Sequence, residues 1–326
     1  RDRLKRIGVP LVTFWPVLFA AFVGIVVWGV TVQYGPEAVE HIPSPEGSIV
    51  ETFPLTHLWF LYVLLLLYAG TLAVRGIVAA ADGEGRLHAR IDGWVRAGMR
   101  SGLAPFALAA PTAVALYLRT DWLMWLGVPS PDHGLLPNAP ALAAFGTAFG
   151  FGWLLQRQVR EMRVLEGRWL PHLVVAVGLS AACVAISGVS VTLDASTQAA
   201  AGDPVLRAIL AVCYPLATWA WSFGLVGLAL RFLSAPSPAI RYVADSSSWV
   251  YLVHLPVLMV AQVLLLPAAL PAAVKYVLVL ATTLPLLLLS YHLLVRYSFL
   301  GALLNGKRYE RRRKEKGEPS LATAPR

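Results

Sequence analysis

The sequence carries little charge and almost no cysteine. Only 14% of its 326 residues are Asp, Glu, Lys or Arg, whereas 57% are hydrophobic; soluble domains carry about a quarter charged residues. A soluble fold of this composition would lack the polar side chains that cover a surface. The composition excludes a soluble enzyme and a disordered regulator, and it predicts an all-α, polytopic membrane protein.

The two cysteines exclude a disulfide scaffold. Cys183 and Cys213 each lie inside an apolar run. We expect both to be small buried side chains, without a redox or metal-binding role.

Eight apolar segments are long enough to cross the hydrocarbon core of a bilayer, which takes roughly 20 helical residues. They cover about 8–32, 57–80, 97–118, 139–156, 169–191, 205–231, 248–268 and 273–295. The segment 139–156 is the shortest and is rich in glycine. The sequence therefore predicts a bundle of about eight helices, one membrane domain over 1–304, and a basic, disordered tail over 305–326.

The positive charges follow a topological pattern. Of the 27 lysines and arginines, all except Arg119, Arg207 and Lys275 lie at the chain ends or in alternate connections between spans. By the positive-inside rule, both ends of the chain are expected in the cytoplasm. The net charge of +9 is explained in this way, so no nucleic-acid partner is expected. The tail either lies against anionic lipid or is a solvated stop-transfer segment.

No Asp, Glu or Lys falls well inside a predicted span. This absence disfavours a carrier coupled to protons or sodium, because such carriers place a carboxylate at membrane depth. At the start of the seventh span, Ser247, Tyr251 and His254 have helical spacing i, i+4 and i+7, which puts them on one face. They could bind a polar substrate or relay a proton. Alternatively, His254 is a hydrogen-bonded link to a neighbouring helix.

Two further groups are candidates. His57 and Trp59 open the second span, where aromatic residues are typical of an interfacial belt but can also line a pocket. Arg3 and Arg6 lie three residues apart just before the first span. On one face of a helical turn they could grip phosphates, or they could simply anchor the topology.

Taken together, four segments resemble the acyltransferase-3 family of integral membrane acyltransferases. Within the family they are most similar to the branch of glucan biosynthesis protein C, the periplasmic-glucan succinyltransferase type. The matching segments are Arg3-Leu-Lys-Arg6 with Ile7-Gly-Val-Pro10, His57-Leu-Trp-Phe-Leu61 with Tyr68, Asp245-Ser-Ser-Ser-Trp-Val-Tyr-Leu-Val-His254-Leu-Pro256, and Val295-Arg-Tyr297 with Gly301-Ala-Leu-Leu-Asn305-Gly306. Each is weakly specific alone, whereas their order and spacing span almost the whole chain.

The resemblance implies an enzyme of the bacterial inner membrane that transfers an acyl group other than an amino-acyl group. It would move acetyl or succinyl from acyl-CoA, a co-substrate rather than a bound cofactor, to a glycan hydroxyl at the outer face. Arg3 and Arg6 would bind the acyl donor, and no metal is implied. The pocket candidates are Trp59, Ser247 and Tyr251.

The resemblance also implies a first helix upstream of Arg1 that carries the family's catalytic histidine. With two more helices the predicted bundle would have ten spans. We therefore expect this chain to lack its main catalytic residue, and His254 and His57 are the candidates within it.

Two other functions stay open at this point. A transporter or flippase for a glycan or a lipid-linked substrate would show broken helices in paired halves or an intramembrane carboxylate, and the sequence shows neither. A non-catalytic membrane scaffold would use the tail to bind a partner.

Overall fold

The computed structural model describes residues 2–42, 47–83, 85–188 and 203–306. These residues form helices joined by turns and loops, and they contain no strand, only an isolated bridge between Pro54 and His133. The predicted all-α membrane fold is confirmed. Residues 307–326, most of the predicted tail, lie outside the described part of the chain.

The described residues contain eleven α-helices. They are α1 Asp2–Tyr34, α2 Ile49–Thr52, α3 Trp59–Ala81, α4 Arg86–Ser101, α5 Ala104–Leu118, α6 Ala139–Gln156, α7 Met162–Ser187, α8 Pro204–Phe232, α9 Pro238–Leu264, α10 Ala272–Ser290 and α11 Phe299–Asn305. Short 3₁₀ turns cover Pro36–His41, Thr56–Leu58, Met124–Leu126 and Val159–Glu161. A π-helical turn, Tyr291–Val295, follows α10.

Six helical segments in the described part of the chain are long and apolar enough to cross a membrane. They are Lys5–Tyr34, Thr56–Ala81, Val159–Ser187, Pro204–Phe232, Pro238–Leu265 and Ala272–Val295. Each corresponds to one of the eight predicted spans. A seventh span results if α4 and α5 are counted as one bent pair.

The predicted span 97–118 is wrong as a single helix. The chain turns by 105° between α4 and α5, because Gly102 ends α4 in the left-handed conformation with φ +82°. Glycine accepts this conformation without the steric cost that a Cβ brings, so it commonly ends helices. The arginines of α4 recur at helical spacing on one face, which makes α4 an amphipathic helix rather than the start of an apolar span.

The predicted segment 139–156 forms α6 with the predicted bounds, but it is not among the six apolar segments. A helix of 18 residues is about 27 Å long, slightly less than the hydrocarbon core. Asn138 begins the helix, since its side-chain oxygen accepts a hydrogen bond from the Ala141 N–H at 2.9 Å. The helix is unbroken, and its glycines and polar residues, which lower its mean hydropathy, keep it out of the set.

The chain divides into two compact units, Arg1–Pro43 with Pro238–Arg326, and Ser44–Ser237. In the first unit, α9 packs against α1 and α10. Trp249 is buried there, meets the ring of Phe14 edge-on at 6.2 Å, and donates its indole N–H to the Ser290 hydroxyl at 3.0 Å. These contacts hold three helices together around the middle of α9.

In the second unit, α7 and α8 pack along their lengths, and α5 packs on α8. The core at one end contains Met99, Leu165, Trp219 and Phe223. Beside it the nearly buried carboxylate of Glu161 accepts two hydrogen bonds from the Arg100 guanidinium, at 2.7 and 2.9 Å. This bidentate pair ties α4 to the connection between α6 and α7.

Candidate functional site

His254 lies half-buried in α9, and its ring is fixed by its own helix. Its Nδ1 is 2.7 Å from the carbonyl oxygen of Tyr251, one turn earlier. A carbonyl oxygen only accepts hydrogen bonds, so Nδ1 is the donor, and in the neutral ring Nε2 is the basic nitrogen. The helix therefore selects the tautomer that a general base acting through Nε2 requires.

Tyr251 lies beside His254 on α9, as their helical spacing predicts. Both are half-buried, and their ring centroids are 6.1 Å apart. Ser247 lies differently, since it is exposed and its hydroxyl donates to the Ala244 carbonyl at 2.8 Å. The buried serine of this segment is Ser246, which donates to the Val243 carbonyl at 2.8 Å.

The Asp245 segment is linked to the last described helix. The side-chain amide of Asn305 donates to the Asp245 backbone carbonyl at 2.7 Å and lies 3.4 Å from the Tyr291 hydroxyl. The Asp245 carboxylate is mostly buried and lies 3.6 Å from the Arg241 Nε. Two segments that the sequence presents 60 residues apart thus form one polar cluster in the first unit.

An aromatic and basic group that the sequence analysis did not select lies beside this cluster. The Arg296 guanidinium stands over the Tyr242 ring at 4.9 Å, and the Tyr242 hydroxyl donates to the Leu288 carbonyl at 3.2 Å. His292 is 3.5 Å from the same hydroxyl. The π-helical turn Tyr291–Val295 carries His292, and such turns frequently mark functional sites. No pattern in the sequence distinguishes a π-helical turn from an ordinary helix.

Arg6 lies where α1 meets the end of α11. Its side chain is exposed, and its guanidinium lies so close to Gly306 that any side chain there would overlap it. Gly306 caps α11 in the left-handed conformation, φ +73°. Arg3 lies in the same helix α1, but its side chain is outside the described part. The structure thus places Arg6 at the basic, predicted cytoplasmic end of the first span.

His57 and Trp59 belong to the second unit. His57 is half-buried in the 3₁₀ turn Thr56–Leu58, and the Trp59 ring lies 5.1 Å from the Phe145 ring of α6. Trp59 therefore packs against a neighbouring helix. Tyr62, one turn further along, donates its hydroxyl to the Leu135 carbonyl at 2.8 Å.

The backbone just before His57 is strained. Thr56 has φ +51°, and it is the one non-glycine residue with positive φ in the described part of the chain. For a β-branched residue this conformation is an outlier that costs about 1–3 kcal/mol, and such strain clusters at functional sites. The Thr56 N–H donates to the Asp132 carbonyl at 3.1 Å, and the Gly134 N–H donates to the Phe53 carbonyl at 2.9 Å. The loop around residue 133 thereby holds the turn that carries His57.

The titratable groups do not assemble a metal centre in the described residues, where no group of three or more His, Cys, Asp or Glu could hold an ion. Cys183 and Cys213 are free thiols and half-buried. The chemistry available in the first unit is that of an imidazole, a phenol and a guanidinium. In the second unit it is that of an imidazole and an indole.

A family model described as an acyltransferase domain matches residues 1–292. The chain belongs to the acyltransferase-3 family. The matched range includes Arg6, His57 and His254, and it ends before Arg296 and Asn305. No curated protein matches the chain, and no solved structure does. With the membrane-spanning helices, the family identifies the chain as a membrane acyltransferase.

Proposed function

We propose that this acyltransferase moves an acetyl or succinyl group from acyl-CoA to a glycan hydroxyl at the outer face of the bacterial inner membrane, as in the glucan-modifying branch of its family. The observation that carries the proposal is the fixed tautomer of His254, within the matched domain and in a membrane-spanning helix. Acyl transfer to a hydroxyl needs a base, and an imidazole with Nδ1 occupied presents Nε2 for that purpose.

In the proposed reaction, a histidine base removes the proton from the sugar hydroxyl as its oxygen attacks the thioester carbonyl, and Nε2 of His254 is the candidate for this base in the described part of the chain. A tetrahedral intermediate forms, and hydrogen-bond donors around its oxyanion stabilise it. The carbon–sulfur bond then breaks, and the CoA thiolate leaves and takes up the proton from the imidazolium. The products are the acyl ester of the glycan and free CoA, and the histidine is regenerated. His57, on its strained turn, is the other candidate for the base.

Arg6 and Arg3 bind the acyl donor in this proposal. A guanidinium forms bidentate, charge-assisted hydrogen bonds with phosphate oxygens, and CoA carries several. The exposure of the Arg6 side chain and its position at the start of the first span support this role. Tyr251 and Trp59 are pocket residues in the proposal, whereas the outward Ser247 has less support.

One observation favours a second candidate, a transporter or flippase for a glycan or lipid-linked substrate. The pair α4 and α5 is bent by 105°, and discontinuous helices form the substrate sites of many transporters. Those transporters have broken helices in corresponding positions of two halves, and the described residues contain a single such pair.

The test is mass spectrometry of periplasmic and surface glycans from cells with and without the full-length gene. We expect an acetyl or succinyl increment that requires the gene. Arg6→Gln should abolish most of the increment while the protein still inserts normally, and Lys5→Gln, an exposed neighbour in α1, is the matched control. An unchanged acyl content with a glycan pool redistributed across the membrane would support the transporter. Normal acylation in Arg6→Gln, together with a disturbed topology, would show that Arg6 anchors the membrane topology and does not bind the acyl donor.

A further inference from the structure

The second unit contains a basic cavity that the proposed reaction does not use. It has a volume of about 420 Å³ and lies between the end of α3, the start of α4 and the end of α6. The residues that line it are Val74, Arg75, Val78, His88, Ile91, Trp153, Leu154 and Arg157. Its lining is therefore mostly apolar and includes two guanidinium groups and an imidazole.

Two of the three basic side chains have acidic partners. Arg157 Nη2 lies 3.0 Å from the Asp92 carboxylate, and His88 Nδ1 lies 2.7 Å from the Asp82 carboxylate. Asp82 also accepts hydrogen bonds from the first N–H groups of α4, those of Leu87 and His88. These bonds, the one from the Leu87 N–H foremost, lower the pKa of Asp82 to about 2.

Arg75 is different. It is exposed, and it has no hydrogen bond or ion pair with any residue that the structure describes. Among the described residues, the Arg75 guanidinium therefore has no acidic partner beside the apolar walls of the cavity. An anionic group would neutralise it, and a guanidinium is well suited to a phosphate.

The surroundings of the cavity are those of a membrane interface. Leu72, one turn before Arg75 on α3, and Val74, which lines the cavity, are 61% and 58% exposed, so apolar surface continues from the cavity toward the middle of the helix. On α4, an arginine-rich amphipathic helix, Trp94 is 70% exposed. Exposed indoles and amphipathic helices of this type lie at the level of the lipid headgroups. An occupant with a phosphate at one end and hydrocarbon at the other fits both features.

We propose that this cavity binds the headgroup of an anionic phospholipid, with the phosphate at Arg75 and Arg157 and the acyl chains along the exposed apolar face of α3. Basic pockets between membrane helices on the cytoplasmic side bind such headgroups in general. The cavity lies at the end of α3 and α6 where the basic connections cluster, which is the predicted cytoplasmic side. A free nucleotide-like anion would leave the exposed apolar surface of Leu72 and Val74 without a partner.

The experiment measures lipid binding by native mass spectrometry of the purified full-length protein in detergent. Phosphatidylglycerol is the anionic probe, and phosphatidylcholine is the zwitterionic one. We expect the native protein to retain phosphatidylglycerol selectively. Arg75→Gln should weaken this binding by about fivefold, the effect of one arginine near an anionic lipid surface. Arg90→Gln, which removes an exposed charge from α4 outside the cavity, should leave binding unchanged.

Arg157 requires a more conservative substitution, because removal of its charge would leave the Asp92 carboxylate without its ion-pair partner. Arg157→Lys keeps the charge and should retain most of the lipid affinity, and the melting temperature without lipid checks that each variant folds. Equal retention of both lipids, or equal affinity in Arg75→Gln and Arg90→Gln, would overturn the proposal. So would displacement of phosphatidylglycerol by CoA together with weaker CoA binding in Arg75→Gln, since the cavity would then belong to the acyl donor.

Discussion

In the first unit, His254 lies within a regular helix of 27 residues, whereas in the second unit His57 lies in a 3₁₀ turn of three. The ring of His254 is fixed by a carbonyl of the same helix, three residues earlier. The turn of His57 is held by backbone hydrogen bonds to a loop more than 70 residues later and includes a strained threonine. One histidine is positioned locally and the other by tertiary contacts, so substitutions around them should differ in what they damage.

The largest expected difference concerns catalysis. Asn in place of His254 can still donate to the Tyr251 carbonyl, but it has no basic nitrogen at the Nε2 position. His254→Asn should therefore lower the acylation rate by about 10²–10⁴-fold with little loss of stability. His57→Asn is the matched variant, and we expect it to cost less than His254→Asn. Initial rates with radiolabelled acyl-CoA and the full-length protein measure both. A larger loss of acylation rate in His57→Asn than in His254→Asn would indicate that His57 is the base.

Relief of strain gives the second test. Thr56→Gly removes a conformational cost of about 1–3 kcal/mol and adds an entropic cost of about 0.5–1 kcal/mol. The variant should be more stable by about 1 kcal/mol, as measured by its unfolding in denaturant. If the strain positions His57 for function, acylation will fall while stability rises. A destabilised Thr56→Gly variant would show that the left-handed conformation carries no strain.

The third test compares one distant hydrogen bond with one local bond. Tyr62→Phe removes the bond from the hydroxyl to the Leu135 carbonyl, 73 residues away, and should destabilise the protein by about 1 kcal/mol. Ser247→Ala removes an exposed bond within α9 and should change stability by less than about 0.5 kcal/mol. Equal effects of these two variants on the melting temperature would contradict the comparison.

The smallest expected effect is a pH dependence confined to the region of His57. The N–H and hydroxyl of Ser48 bond to the Glu51 carboxylate and lower its pKa. A carboxyl whose pKa is lower in the folded state stabilises that state above its unfolded pKa and loses the contribution as the pH falls through the folded pKa. The protection of residues 48–58 against hydrogen exchange, measured relative to the intrinsic exchange rate at each pH, should therefore fall as Glu51 becomes protonated, and the protection of α9 should not follow. Glu51→Gln should remove this pH dependence.

The two regions also differ in how far the sequence predicts them. Helical periodicity is enough to place Tyr251 and His254 together on α9, and the hydrogen bond that fixes the imidazole is local. The turn at Thr56 depends on a loop near Asp132, and no local pattern reports such a contact. The hydrophobic pattern likewise predicts the six apolar spans. It predicts part of α4 and all of α5 as one segment, because the pattern contains no information on the helix end at Gly102. The link from Asn305 to Asp245 is a tertiary contact, although both residues lie in segments that resemble the family.

The π-helical turn after α10 has a consequence for insertions and deletions. The Arg296 N–H donates to the Tyr291 carbonyl, five residues back, at 2.9 Å, so this turn holds one residue more than an α-helical turn would. Each residue advances a helix by about 100°. The π-helical turn holds its extra residue within one turn, so a chain one residue shorter between Tyr291 and Val295 could close as an ordinary α-helix and leave the direction of the following residues almost unchanged. The same deletion within α10 would rotate everything after it by that angle, and Asn305 would then face away from Asp245. A deletion in the π-helical turn should therefore be tolerated better than a deletion in α10.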